Sequence, residues 1–140
     1  TGICYTASVN HGAYKHHNDG DTNQISVRKT DSNNIIVAGS RSHGNKQQNA
    51  FIQKLNNPEV LSIGSSLKFC VIAEGKADIY PRFGSTSEWD TAAAQIIVEE
   101  AGGIVVDMNF NQLKYNTKES ILNPEFFVIA DKQFDWQQYL

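Results

Sequence analysis

Asp90, Arg82, Lys68, Ser65 and His43 are the side chains of this 140-residue sequence whose types and settings suit phosphate chemistry. Asp90 has the most particular setting. It stands in the first turn of a helix predicted within residues 84–103, three positions after Ser87, in the spacing of a capping box. The helix dipole favours an anion there, and Trp89 with Ala92, Ala93 and Ala94 lets another backbone or a ligand come close. A first-turn Asp that merely supports its helix is the bland alternative. Arg82 comes one loop earlier, and its planar guanidinium suits bidentate phosphate binding, against the alternative of a surface Arg without a partner. Gly64, Ser65, Ser66 and Lys68 head another predicted helix, where free amides, hydroxyls and an ammonium make a phosphate site. Ser65 and Lys68 are three apart and would face one ligand, though an N-cap Ser and a solvated Lys account for the spacing equally well. His43 falls in the turn 39–44, between a predicted strand and a predicted helix. That is the carboxyl end of a strand, where open α/β sheets bind ligands, although a loop His is more often simply solvated.

The elements that must hold these residues follow from periodicity and turn chemistry. Residues 3–9, 13–17 and 25–28 read as strands of an antiparallel meander, with turns at 10–12 and 18–21. His16 and His17 point to opposite faces of their strand, which argues against one shared metal ion, and Asp19-Gly20-Asp21 lacks the rest of an EF-hand loop. The polar stretch 31–34 is the boundary. Beyond it, strands at 35–38, 58–62, 77–80, 104–108 and 126–130 alternate with helices at 46–55, 65–74 and within 84–103, the last with Ser85, Thr86 and Ser87 as possible N-caps, and a final helix at 131–140 packs Phe134 and Tyr139. In the central helix Trp89, Ala92, Ala93, Ile96, Ile97 and Ala101 form the expected apolar face, and Gly102-Gly103 is the stop. The expected fold is α+β grading into α/β, a mixed sheet flanked by helices on both faces.

Composition narrows the function classes. Forty per cent of residues are hydrophobic, enough for a core, and the net charge of −3 gives no electrostatic case for nucleic acid. No apolar run, 96–98 and the five-residue runs 69–73 and 126–130 included, is long enough to cross a bilayer, and no signal-peptide pattern is present. Cys4 and Cys70 are too few for a disulfide framework and are expected as two buried thiols in a reducing cytosol. The sequence opens at Thr1, without Met, inside a predicted strand, so a piece of a longer protein is expected.

Trp89-Asp90-Thr91-Ala92-Ala93, followed by the run 97–103, resembles the second signature of the inositol monophosphatase superfamily, in which the Asp after the Trp is a ligand of catalytic magnesium. Residues 62–70, Ala73-Glu74-Gly75, Tyr80-Pro81-Arg82-Phe83-Gly84 and 119–124 are similar to the CysQ-type 3'(2'),5'-bisphosphate nucleotidases of that superfamily. The likeness runs from about Asn34 to the end; Ala94-Gln95 departs from it, since members often carry Gly after two alanines. The resemblance implies the C-terminal half of a layered αβαβα fold. Residues 1–30 would be strands belonging to the end of a missing N-terminal domain, and residues 31–140 a C-terminal α/β phosphatase domain. It implies Mg2+ as cofactor, Asp90 as catalytic metal ligand, and His43, Ser65, Lys68 and Arg82 as substrate-binding residues. Inositol-specific members carry an acid near the position of Arg82, so an Arg there fits a second phosphate. The implied reaction is removal of the 3'-phosphate of adenosine 3',5'-bisphosphate, in the cytoplasm or peripherally at the inner membrane. The superfamily's first signature, Asp-Pro-x-Asp-Gly-Thr, is absent from these residues; Asp19-Gly20-Asp21-Thr22 is no match. The chain alone is therefore expected to be inactive, its partner being the N-terminal half of the same enzyme. An inositol- or sugar-phosphate phosphatase, and a nucleotide-binding module without catalysis, are the other readings.

Overall fold

The structure is a computed structural model that describes residues 2–39 and 46–139. Short apolar and β-branched runs broken by turn residues build two sheets. Strands β1 (Ile3–Ser8), β2 (Gly12–His17) and β3 (Thr22–Ile25) form an antiparallel meander in sequence order. Five more strands, β4 (Ile36–Gly39), β5 (Glu59–Ser62), β6 (Ile79–Arg82), β7 (Ile104–Asp107) and β8 (Phe126–Ile129), make a second sheet in the order β5-β4-β6-β8-β7. Its first three members run parallel, and β8 is antiparallel to both β6 and β7. The helices are α1 (Lys46–Lys54), α2 (Leu67–Ala73) and α3 (Glu88–Glu100), with a closing 3₁₀ turn at Trp136–Tyr139. No helix among the described residues is long and apolar enough to cross a membrane.

Helices cover both faces of the mixed sheet, as the pattern of elements requires. On one face Phe69 and Ile72 of α2 and Ala94, Val98 and Ala101 of α3 pack with Tyr80, Val105, Phe126 and Val128. Tyr5, Ala7, Ala13 and Ile25 of the meander join the same cluster, so α2 and α3 lie between the two sheets. On the other face Phe51 and Leu55 of α1 meet Ile35, Val37, Ile79, Phe127 and Trp136. The change of character at residues 30–31 falls in the connection between β3 and β4.

Helix α3 begins and ends as its sequence dictates, but its inward face is only partly the predicted one: Ile97 and Ala101 are buried as expected, while the first turns face differently. Thr91, Ala94, Gln95 and Val98 are buried at the i, i+3, i+4, i+7 spacing, whereas Ala92 and Ala93 are exposed and Trp89 is 69% exposed. The reason is that two of the inward positions are polar and find partners. Gln95 Nε2 donates to Leu113 O at 3.2 Å, and Gln95 Oε1 accepts from the Tyr115 hydroxyl at 2.6 Å. At the other end the two glycines do separate jobs. Gly102 has φ +101°, which only Gly adopts cheaply. A Cβ on Gly103 would sit 2.6 Å from the Ile129 carbonyl oxygen, so that glycine is there for close helix–strand approach.

Three further expectations change. The third strand is Thr22–Ile25, not 25–28, because the Val27 amide leaves the sheet to donate to Ala101 O at 2.9 Å, at the end of α3. The terminal helix shrinks to the 3₁₀ turn, because Asp131 takes the Gln133 and Thr30 amides on its carboxylate and starts a turn instead. Cys4 is exposed on the meander, while Cys70 is buried, where burial pushes its thiol up to about 11.

Candidate phosphate-binding cleft

A cleft of about 530 Å³ opens where the start of α2, strand β6 and the start of α3 meet. Ser65, Lys68, Arg82 and Asp90 all line it. Their positions are up to 25 residues apart in sequence, and the parallel strand–helix connections bring them together at one edge of the sheet. His43, the remaining candidate, lies outside the described residues.

The wall of the cleft comes from β6 and β8. Tyr80 and Arg82 are two apart on β6, so both face the same side, and Phe126, registered with Arg82, faces it too. Pro81 sits inside β6, where a break in the strand was expected. Strand β4 pairs with β6 only at Val37–Ile79, so the missing amide interrupts no ladder there. Phe69, Tyr80 and Phe126 pack edge-on or tilted, with centroids 5.8–6.1 Å apart, and make a rigid aromatic floor.

The two cations of the wall are engaged differently from expectation. Arg82 donates from Nε to Gly84 O at 3.2 Å and from Nη2 to Ser85 O at 3.1 Å, so part of its fork already shapes the loop leading to α3. Lys68, expected to be solvated or free at a helix start, is only 3% exposed. Its ammonium donates to Ile63 O at 3.3 Å and lies 5.0 Å from the centre of the Tyr80 ring. Burial, and then the charge of Arg82, lower its pKa below the ordinary lysine value. Helix α2 starts at Leu67, two residues later than predicted, and Ser65 takes the left-handed conformation with φ +55°. The Lys68 and Phe69 amides donate to Ser65 O and Ser66 O within the turn that starts α2.

Across from them, Asp90 is placed by the turn that starts α3. The Ser87 amide donates to Asp90 Oδ2 at 2.9 Å, which is one leg of the capping box read from the sequence. That turn is held in place by the segment before β8. The Asn123 carboxamide donates to Thr91 Oγ1 at 2.9 Å and reaches Ser87 O at 3.0 Å and Thr86 Oγ1 at 3.1 Å. The Glu88 amide donates to Ile121 O, and the Asn123 amide to Thr86 O. Asp90 is exposed, and the oxygen not used by Ser87 fits a single coordination position of a hard cation. Among the described residues no group of three His, Cys, Asp or Glu side chains converges to hold a metal ion. The arrangement thus offers one carboxylate opposite two cations and two hydroxyls, a setting for a ligand with more than one phosphate.

Sequence reasoning missed Tyr80, Phe126 and Asn123. Tyr80 carried a signal, its i, i+2 spacing from Arg82 on a strand. Asn123 carried none of its own, because its partners are 32–37 positions away.

A sequence model of the inositol monophosphatase family matches residues 1–135. The chain is 48% identical over 109 residues to the 3'(2'),5'-bisphosphate nucleotidase CysQ of Salmonella typhimurium, covering 78% of this chain and 44% of that protein. It is 36% identical over 139 residues to the nucleotidase of the same name from Aggregatibacter actinomycetemcomitans, covering 98% and 51%. The chain therefore spans about half the length of the relatives it matches. Among solved structures, CysQ from Bacteroides thetaiotaomicron superposes with a TM-score of 0.78 at 37% identity, over 90% of this chain and 53% of that one. An inositol monophosphatase from Zymomonas mobilis shares the fold at TM-score 0.66 and 19% identity, over 98% and 55%. A match that runs through both sheets and every described wall of the cleft settles the kinship: the chain belongs to the inositol monophosphatase family.

Proposed function

We propose that this chain is the nucleotide-holding half of a magnesium-dependent phosphatase that converts adenosine 3',5'-bisphosphate to AMP and phosphate. The observation that carries the reading is the gathering of Ser65, Lys68 and Arg82 opposite Asp90 in one cleft. The names of the relatives, 3'(2'),5'-bisphosphate nucleotidases, support the substrate class. Lys68 and Arg82 would hold the 5'-phosphate, with Ser65 as a further donor and His43, outside the described residues, as another candidate. Asp90 would hold one metal ion, the other ligands coming from sequence outside these 140 residues. Magnesium, when bound, supplies charge for the phosphoryl oxygens and a more acidic water. Water oxygen bonds to the 3'-phosphorus and the water gives up a proton, while the bond from phosphorus to O3' breaks and O3' leaves with the electron pair and takes up a proton in turn, so one water is consumed. Residues 31–140 are on this reading the domain that carries the cleft, and residues 1–30 complete a sheet shared with the preceding domain. On this reading the enzyme works in the cytoplasm.

The test is phosphate release from adenosine 3',5'-bisphosphate and from inositol 1-phosphate at fixed magnesium and salt. The 140 residues alone should give no turnover. The full-length protein should favour the bisphosphate, and Arg82→Ala should narrow the kcat/KM ratio by roughly ten- to a hundredfold, chiefly by weakening the bisphosphate. Turnover by the 140 residues, or an equal fall for both substrates, overturns the corresponding part of the reading. A preference for inositol 1-phosphate would favour the inositol-type alternative.

A further inference from the structure

Tyr80 lies at the centre of the cleft wall and is 5% exposed. Its ring is wedged between Phe69 and Phe126, with interplanar angles of 74° and 87°. The Lys68 ammonium stands 5.0 Å from the ring centre. We infer that Tyr80 is a positioning residue for phosphate recognition, its ring face holding the buried Lys68 ammonium at the cleft wall with donors left for an incoming phosphate.

A buried ammonium needs compensation, and proteins usually supply a carboxylate. Among the described residues no acid pairs with Lys68. Its described compensation is the Ile63 carbonyl at 3.3 Å and the ring. The difference matters for function. A carboxylate would neutralise the ammonium and compete with phosphate for its protons. A ring face attracts the cation through its quadrupole, brings no net charge and accepts little hydrogen bonding. Of the three N–H donors of Lys68, the Ile63 carbonyl takes one, and among the described residues no second acceptor takes another, which leaves donors that an anion would meet. The ring must itself be fixed for this to work, and the edge-on packing of Phe69 and Phe126 fixes it. Arg82, two residues on along the same face of β6, adds a second positive charge whose repulsion with Lys68 an arriving phosphate would relieve.

The inference rests on the phosphate-binding reading of the cleft, and its test separates the two. In the full-length protein, affinity for adenosine 3',5'-bisphosphate is measured by calorimetry, and the Lys68 side-chain titration is followed by NMR with carbon-13 lysine. Tyr80→Leu should weaken binding by about five- to thirtyfold and move the Lys68 midpoint further down. Tyr80→Phe keeps the ring face and should leave the Lys68 midpoint at its wild-type position, while it removes the hydroxyl that meets Arg82. In a Lys68→Met background Tyr80→Leu should bring no further loss of affinity, since a residue that acts through Lys68 has nothing left to position. If Tyr80→Leu does not fold, a fluorinated phenylalanine at position 80, which keeps the shape and drains the ring face, takes its place. A loss of affinity that is the same with and without Lys68, or a Lys68 midpoint that stays put, overturns the inference whatever the ligand. A wild-type protein that binds no adenosine 3',5'-bisphosphate while its Lys68 midpoint still responds to Tyr80 overturns the substrate reading alone.

Discussion

Asp90 uses one carboxylate oxygen for its own helix and leaves the other for the cleft. Asp90→Asn separates these two uses. The amide oxygen of Asn still accepts the Ser87 N–H, so the cap survives, and only the charge beside the helix dipole is lost, worth about 0.3–1 kcal/mol at an exposed site. The charge that would hold a cation is lost entirely. In the full-length enzyme the expected outcome is a fall in turnover of several hundredfold, on the order of other losses of transition-state charge stabilisation, beside a urea midpoint that barely moves. Turnover like wild type at saturating magnesium would leave Asp90 as a cap and nothing more. Lys68 makes the same point from the opposite sign. Its residue type suggested phosphate, but its near-complete burial and its aromatic partner determine how it would act.

Helix α3 shows how an element with the right ends can carry a face that is only partly the predicted one. Its N-terminus was legible to within Ser85, Thr86 and Ser87, of which Ser87 is the cap, and its stop at Gly102-Gly103 was legible too, because capping and left-handed glycine depend on neighbours in sequence. The strands were legible for a similar reason: 104–106 and 126–129 are continuous apolar runs, as expected of strands covered on both faces. The inward face was legible only in part, because Thr91 and Gln95 are buried polar residues whose partners Tyr115, Leu113 and Asn123 come from 18–32 positions away. Counting apolar residues assigns such positions to solvent, and so it turned Trp89 inward. The same network makes Asn123 the clamp on the turn that carries Asp90. Asn123→Ala removes a buried donor to Thr91 and to the Ser87 carbonyl and should cost about 1–3 kcal/mol. Asn123→Asp should cost more, because a carboxylate would face the Ser87 carbonyl and two hydroxyl oxygens with no proton to give. Urea unfolding of the two variants beside wild type checks the order, and an Asp variant as stable as wild type would show that the clamp does not donate.

At the scale of the whole molecule, the question is whether the meander is an appendage or part of one cooperative unit. Glu74, at the end of α2, is the polar joint between them. Its carboxylate accepts from the Tyr5 hydroxyl of β1, from Lys15 of β2 at 2.9 Å, and from Lys76 at 2.7 Å. Burial alone would raise the Glu74 pKa, but the hydrogen bonds from Lys76, Tyr5 and Lys15 together outweigh it and hold the carboxyl below the usual glutamate range. Lys76 is largely exposed, so solvent screens its share of the stability, whereas Tyr5 and Lys15 act from the more buried side and tie Glu74 to the meander. A folded-state pKa below the unfolded value contributes stability that is present above the unfolded value of about 4.3 and is lost as pH falls through the folded one. Glu74→Gln should therefore destabilise by about 2 kcal/mol at pH 7, the size of a hydrogen bond to a charged group. The deficit should shrink as the pH drops below about 4, where wild type loses the same charge. A second joint points the same way: Glu100, in the last turn of α3, accepts the Asn10 and Gly12 amides at the first hairpin. With Tyr5, Ala7, Ala13 and Ile25 in the same apolar cluster as α2 and α3, both sheets should unfold in one transition. The measurement is urea unfolding of wild type and Glu74→Gln between pH 7 and pH 3, followed by fluorescence of Trp136, near the second sheet, and by NMR signals of the meander. Coincident transitions with a pH-dependent gap between the two proteins bear out the joint. A meander that melts first, or a gap that stays constant to pH 3, would put the coupling in the apolar contacts and leave Glu74 a surface ion pair.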